Sequence, residues 1–230
     1  AGGRSGFGSD AEELRTETAV FAEILAFAAR LSVRRENPAV EVHMMSSAGG
    51  LFEGITPCGA DTLPRPLRPY GEGKLAQEEM LRTSGLLVTR IYRLSSVYGF
   101  VPGGRIGLIA ALIGNALRFR TTQIFGGLTT LRDYVAADDI AEFVARQVTG
   151  PLRPGSETFL LASGRPVSMY EVIALVERTL SVSVLLRFDP HPSNARDMRF
   201  LPSALPPGWR PAPLATGVVR VTDRVRKDLV

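Results

Sequence analysis

The sequence predicts an α/β fold in which helices pack on a parallel sheet. Three observations carry this expectation. Helix and strand patterns alternate from Ser9 to Tyr92, the order that a parallel sheet with crossover helices requires. The candidate strands are short, continuous apolar runs, as befits strands covered on both faces. Small residues, Ser46-Ser47-Ala48-Gly49-Gly50, follow the first such run. In open α/β sheets ligands gather beyond the carboxyl ends of the strands.

The elements follow in chain order. Residues 9–31 read as a helix, with Ser9 and Glu12 as a capping box and Leu14, Phe21, Ile24, Leu25, Ala28 and Leu31 as its apolar stripe. Residues 40–45 read as a buried strand. Residues 57–69 form a proline-rich loop that leads into a helix over 74–83, with Leu75, Met80 and Leu81 as its apolar positions. Gly85 closes that helix, and 86–92 is the next strand. Residues 106–118 read as a helix, 124–127 as a short strand or turn, and 138–148 as a helix capped by Asp138. A strand over 158–162 precedes a helix capped by Ser168 and ending near Leu180. Residues 182–188 are strand-like, 189–213 are loops rich in proline, and 216–226 form the last helix. There is no internal repeat.

Composition excludes several function classes. The chain has 230 residues, of which 45% are hydrophobic, and its formal charge is +4. No apolar run reaches membrane-spanning length; residues 106–117 are interrupted by Gly114 and Asn115. A signal peptide is not expected, and no partner in the membrane. Cys58 is the only cysteine, so no intrachain disulfide and no cysteine-based metal site is expected, and a reducing cytoplasm fits. The two histidines, His43 and His191, are isolated and make no metal site. His43, inside an apolar strand, is expected to be a satisfied core residue. The arginines are scattered and carry no nucleic-acid motif.

Tyr70-Gly71-Glu72-Gly73-Lys74 is the most informative stretch. Of 27 basic residues, 25 are arginine, and Lys74 and Lys227 are the only lysines. A chain so biased has placed a lysine one helical turn after a tyrosine, where both side chains share a face. An ammonium is compact and donates in several directions, whereas a guanidinium is a wide planar fork. A phenol close to a cation ionises more readily than a free one. That makes Tyr70 a candidate acid/base.

Five segments resemble, in order, motifs of the extended short-chain dehydrogenase/reductases of the nucleotide-sugar epimerase/dehydratase kind. They are Ser46-Ser47, Tyr70 to Glu79, Thr89 to Gly99 (with Arg93 and Val97-Tyr98-Gly99), Leu131-Arg132-Asp133-Tyr134-Val135, and Gly208-Trp209-Arg210-Pro211. The resemblance implies a partial Rossmann-like sheet plus a smaller C-terminal α/β substrate lobe. Residues 1–100 and 128–163 would form the first part, and 101–127 and 164–230 the lobe. It implies NAD or NADP as cofactor, a nucleotide sugar as substrate, and hydride transfer with Tyr70 as acid/base. Lys74 would favour the phenolate and hold the nicotinamide ribose. Ser47 would hydrogen-bond the substrate oxygen. Counted forward from the serine pair the position is Ser47, and counted back from Phe52 it falls on Ala48. Ser46 is the alternative, since neighbours on a strand point oppositely. Ser46 and Ser96 are further substrate contacts, Leu94 packs near the nicotinamide, and Arg132 and Arg196 meet the substrate diphosphate.

The family's front half has a counterpart here only in part. Only 45 residues precede Ser46, too few for its usual first four strands. The glycines of residues 2–8 have no strand before them and read as a loop, not as the cofactor-binding turn. A homodimer mate or a complementing N-terminal segment is therefore expected to cover the sheet edge. The competing expectation is a catalytically inactive relative that binds a nucleotide sugar or a protein.

Overall fold

The computed structural model of the protein describes residues 10–34, 40–189 and 196–229. In chain order the elements are α1 (Ala11–Arg34), β1 (Glu41–Ser47), α2 (Ala48–Leu51), α3 (Pro69–Arg82), β2 (Val88–Leu94), β3 (Ser96–Tyr98), α4 (Leu108–Leu117), β4 (Thr121–Ile124), β5 (Leu131–Arg132), β6 (Tyr134–Ala136), α5 (Ala137–Thr149), β7 (Gly155–Leu161), β8 (Val167–Ser168), α6 (Met169–Leu180), β9 (Leu185–Phe188) and α7 (Leu214–Asp228).

The main sheet is parallel, in the order β1-β2-β7. Its three strands end level, with Ser47 beside Leu94 and Leu94 beside Leu161. That common carboxyl edge is where the small residues lie. Ile91 and Tyr92 of the central strand are fully buried. His43 is satisfied within this sheet: Nδ1 is 2.8 Å from the Tyr92 hydroxyl and Nε2 is 2.9 Å from a Glu41 carboxylate oxygen. Burial pushes the Tyr92 phenol up to about 12. The helices α1 and α3 cover one face through Leu25, Met44, Leu81 and Ile91.

A second core gathers Ile109, Leu112 and Ile113 of α4, Val172 and Val176 of α6, and Val218 of α7. Tyr98, Tyr134 and Ala136 of the β3–β6 pair also belong to it. Gly217 lets α7 lie directly on Tyr98, because a Cβ there would fall 1.8 Å from the phenol oxygen. The Trp209 indole donates to the Ala162 carbonyl at 2.7 Å and meets Phe143 edge-on. That bond ties the loop before α7 to the end of β7.

Several boundaries differ from the sequence reading. Helix α3 starts at Pro69, earlier than expected, because proline at the first helical position needs no N–H partner. Strand β2 runs on to Leu94, and β4 lies at 121–124 because it pairs in register with β9. Asp138 does not cap α5. Strand β6 runs straight into that helix with Ala136 at the cap position, and Asp138 instead takes both guanidinium nitrogens of Arg224 at 3.0 and 2.8 Å. Asp10 caps α1, accepting from the N–H groups of Glu12 and Glu13 at 2.9 Å each. Ser9, the glycines of residues 2–8 and His191 lie outside the described residues. The two- and three-residue strands β3, β5, β6 and β8 were not expected, since so short a run carries no period. Among the described residues no helix is long and apolar enough to cross a membrane.

Candidate active site

Tyr70 and Lys74 sit on successive turns of α3, and the Lys74 Nζ is 5.9 Å from the centre of the Tyr70 ring. Helical spacing therefore brings together the two side chains that the sequence paired. The ammonium is also held from across the fold. It donates to Glu17 Oε1 on α1 at 2.6 Å and to Gln77 Oε1 at 3.1 Å. Gln77 in turn donates to Glu17 at 3.2 Å and to the Thr18 hydroxyl at 3.4 Å.

The other wall is glycine. The Tyr70 ring packs on Gly50, where a Cβ would lie 3.1 Å from two ring carbons. A Cβ on Gly71 would fall 2.2 Å from the Gly50 carbonyl oxygen. The backbones of α2 and α3 thus touch, and only glycine at 71 permits it. Ser47 ends β1 and caps α2, its hydroxyl oxygen accepting from the Gly50 N–H at 3.0 Å. Ser47 and Tyr70 thus both border Gly50.

Ser46 corrects one expectation. Its side chain is buried and donates to Glu78 Oε1 at 2.6 Å, so the hydroxyl serves the interior rather than a bound substrate. Strand alternation turns it under α3, away from the direction Ser47 takes. Glu78 is itself wholly buried and takes Arg93 at 2.7 and 3.0 Å and Arg82 at 2.6 Å. Burial alone would raise its carboxyl. The hydrogen bonds from Arg93 and Ser46, the Arg93 charge and the bond from Arg82 outweigh that and hold it below its ordinary value.

The two arginines expected at a diphosphate also meet. Arg132 donates to the Arg196 carbonyl and to that of Leu131. Arg196, half-exposed, brings its guanidinium to 3.8 Å from Glu53, whose carboxylate is also bound by Arg68. Arg68 is the cap residue of α3, two positions before Tyr70. Burial lowers the Arg132 pKa, opposed by Tyr134, Asp197 and Glu53. Two guanidiniums, Arg68 and Arg196, share the Glu53 carboxylate, and the Arg132 charge is balanced by Asp197 and Glu53, so cations outnumber carboxylates in this corner beside the Tyr70 end of α3. Asp133 locks the strand ends behind it. Its carboxylate accepts from the N–H groups of Ser163 and Gly164 at 2.6 and 2.8 Å, and its carbonyl from the Ser95 hydroxyl and the Ser96 N–H at 2.6 and 3.0 Å. Burial raises the Asp133 carboxyl, against these bonds. Leu94, the last residue of β2, packs half-buried against the cluster of Tyr92 and Val135. Cys58 is buried and donates to the Ile55 carbonyl at 3.1 Å; burial pushes its thiol up to about 11, which suits a residue without a chemical role.

Residues 2–161 match the NAD dependent epimerase/dehydratase family. The chain belongs to this family. One relative is the UDP-glucose 4-epimerase of Mycolicibacterium smegmatis, 30% identical over an alignment of 187 residues that covers 76% of this chain and 55% of that protein. The dTDP-L-rhamnose 4-epimerase of Burkholderia thailandensis is 31% identical over 136 residues, 54% of this chain and 37% of that one. The chain thus spans about half the length, or less, of these relatives. The structure of MoeE5 in complex with UDP-glucuronic acid and NAD superposes with a TM-score of 0.82 at 24% identity, covering 98% of this chain and 76% of MoeE5. The chain shares the Rossmann-like fold of this neighbour.

Within this family member, sequence reasoning missed Glu17, Arg68 and the part played by Glu78. Glu17 is distant from Lys74 in sequence, and no local pattern links the two. Glu78 was visible only as one of the acidic residues trailing Lys74.

Proposed function

We propose that this chain carries the acid/base and substrate-binding part of a nucleotide-sugar epimerase or dehydratase dependent on NAD. The observation that carries the reading is the Lys74 ammonium set over the Tyr70 ring beside the carboxyl edge of a parallel sheet. Family membership and the nucleotide-sugar epimerases among the relatives support it.

The nicotinamide end of the cofactor fits the residues present. An ammonium has three N–H donors, and Lys74 commits two, to Glu17 and Gln77. The third can reach a ribose hydroxyl, with Leu94 offering an apolar neighbour at the strand end. The bound dinucleotide supplies hydride chemistry at a sugar carbon. Tyr70 holds or accepts the proton of the hydroxyl on that carbon, and the cation of Lys74 favours the phenolate. Ser47 orients the same oxygen. Arg132 and Arg196, joined by Arg68, bind the diphosphate through guanidinium forks, and Ser96 adds a contact at the β2–β3 exit. The sugar nucleotide would lie between the sheet part and the C-terminal lobe. Among the described residues β1 pairs with β2 alone, which leaves its outer edge for an N-terminal segment or a second copy.

The test is turnover of UDP- and dTDP-sugars by the purified protein with NAD, read by chromatography of the sugar nucleotides. Tyr70→Phe should lower turnover by about 10²–10⁴-fold, the usual worth of a positioned acid/base, while sugar-nucleotide binding persists. Binding without turnover in both proteins would instead make the chain a binding module.

A further inference from the structure

Lys74 does not face Tyr70 as an isolated cation. Its nearest charged neighbour is Glu17, at 2.6 Å, and the two side chains are each only 13% exposed. Both are far more sheltered than an ordinary surface ion pair. Among the described residues, the groups near this pair come from α1, α3, β1, β2 and α2, and Glu17 and Tyr70 have further interactions besides those named. From α1 comes Glu17, with Thr18 bonded to Gln77. On α3, Gln77 is neutral, and Glu78 is turned toward Ser46, Arg82 and Arg93. Strand β2 offers Arg93, which is engaged by that Glu78. Strand β1 offers the serines 46 and 47, and α2 offers Ala48, Gly49, Gly50 and Leu51, none of which is charged. Arg68, at the start of α3, is paired with Glu53.

We propose that Glu17 is a positioning residue for the acid/base pair: together with Gln77 it aims the Lys74 ammonium, and its carboxylate offsets the positive charge that ammonium presents to Tyr70. The proposal deepens the acid/base reading of Tyr70 and rests on it. The physical ground is linkage between three charges. A cation beside a phenol favours the phenolate, and an anion beside the cation opposes that effect. Glu17 thus limits how far Lys74 can favour ionised Tyr70 and fixes where the remaining ammonium proton points. A glutamine at 17 would still accept from Lys74 but would carry no charge, which separates aiming from charge.

The experiment is a spectroscopic titration that needs no substrate. Phenolate absorbance is followed against pH for the protein, for Glu17→Gln and for Glu17→Asp, each subtracted from its Tyr70→Phe counterpart so that only Tyr70 is read. In Glu17→Gln the midpoint should fall by about one pH unit, within the range that a nearby charge commands. In Glu17→Asp it should stay close to that of the parent. Where the parent turns over sugar nucleotides, the ascending limb of its pH–rate profile should move the same way in Glu17→Gln. Equal midpoints in parent and Glu17→Gln, both folded by circular dichroism, overturn the proposal. Glu17→Asn is the second neutral variant should Glu17→Gln not fold. If Glu17→Asp folds and neither neutral variant does, Glu17 is purely structural and the proposal also fails. A parent with no turnover sinks the acid/base reading but leaves the titration to decide this one.

Discussion

The two ends of α3 meet the rest of the protein on different terms. At the carboxyl end, Glu78 is wholly buried and binds two arginines and a serine. At the amino end, Tyr70 is half-buried and Lys74 is held from α1, beside the glycines of α2. Both ends join carboxylates to cations. The sealed end closes its network among β1, β2 and α3, so its charges hold elements together. The half-open end instead sets a phenol and an ammonium at the sheet edge, only partly buried, where the proposed function has them meet a ligand. Burial and satisfaction, rather than residue type, separate a structural ion cluster from a candidate reactive one.

The largest effect expected on stability is at the sealed end. Glu78→Gln leaves Arg93 and Arg82 without their carboxylate and should cost about 3 kcal/mol, measured by urea unfolding at neutral pH. The pH dependence has a definite sign. The folded Glu78 carboxyl lies below its ordinary value of 4.5. Its contribution is therefore complete above that pH and is lost as the pH falls through the lower folded value. Asp133, raised by burial from 3.8, works the other way: its contribution is complete below that value and is lost as the pH rises through the folded one. Comparing the parent with Glu78→Gln across acid pH cancels Asp133, and the variant should lack the acid-side loss. An unchanged acid limb would dissolve the contrast between the two ends.

At the half-open end, Gly71→Ala drives a methyl into the Gly50 carbonyl. It should cost about 1–3 kcal/mol, as overpacking does, and should shift the backbone that supports Tyr70. Unfolding together with turnover checks this; a variant as stable and as active as the parent would mean that α2 and α3 do not touch as described. The smallest effects sharpen the comparison most. Ser46→Ala should lower stability by about 1 kcal/mol and leave turnover intact. Ser47→Ala should cost a similar amount through the lost cap but also lower turnover. If both serines behave alike in a paired unfolding and activity assay, their division between interior and site is wrong.

Much of the candidate site was legible because its logic is local. Tyr70 and Lys74 are one helical turn apart, and that spacing places them together whatever else the chain does. Ser168 caps its helix as expected for the same reason, and the structure adds Glu171 as the reciprocal partner. The Ser46/Ser47 choice was legible only as an alternative, because alternation says that neighbours diverge and not which of them faces inward. Asp138 misled because a capping residue type lay two residues past the cap position, Ala136, where a strand runs directly into the helix.

By itself the sequence determined the order of the long helices and of the main-sheet strands, the parallel sense of that sheet and the spacing that joins Tyr70 to Lys74. These depend on periods of two and of about 3.6 residues, which any short window displays. Only the tertiary structure decided that Glu17 grips Lys74, that Glu78 claims Ser46, and that Arg68 and Arg196 share Glu53. Each of those contacts joins residues at least fifteen positions apart. A hydrogen-bond partner at that distance is chosen by how whole elements pack, and no local pattern encodes it.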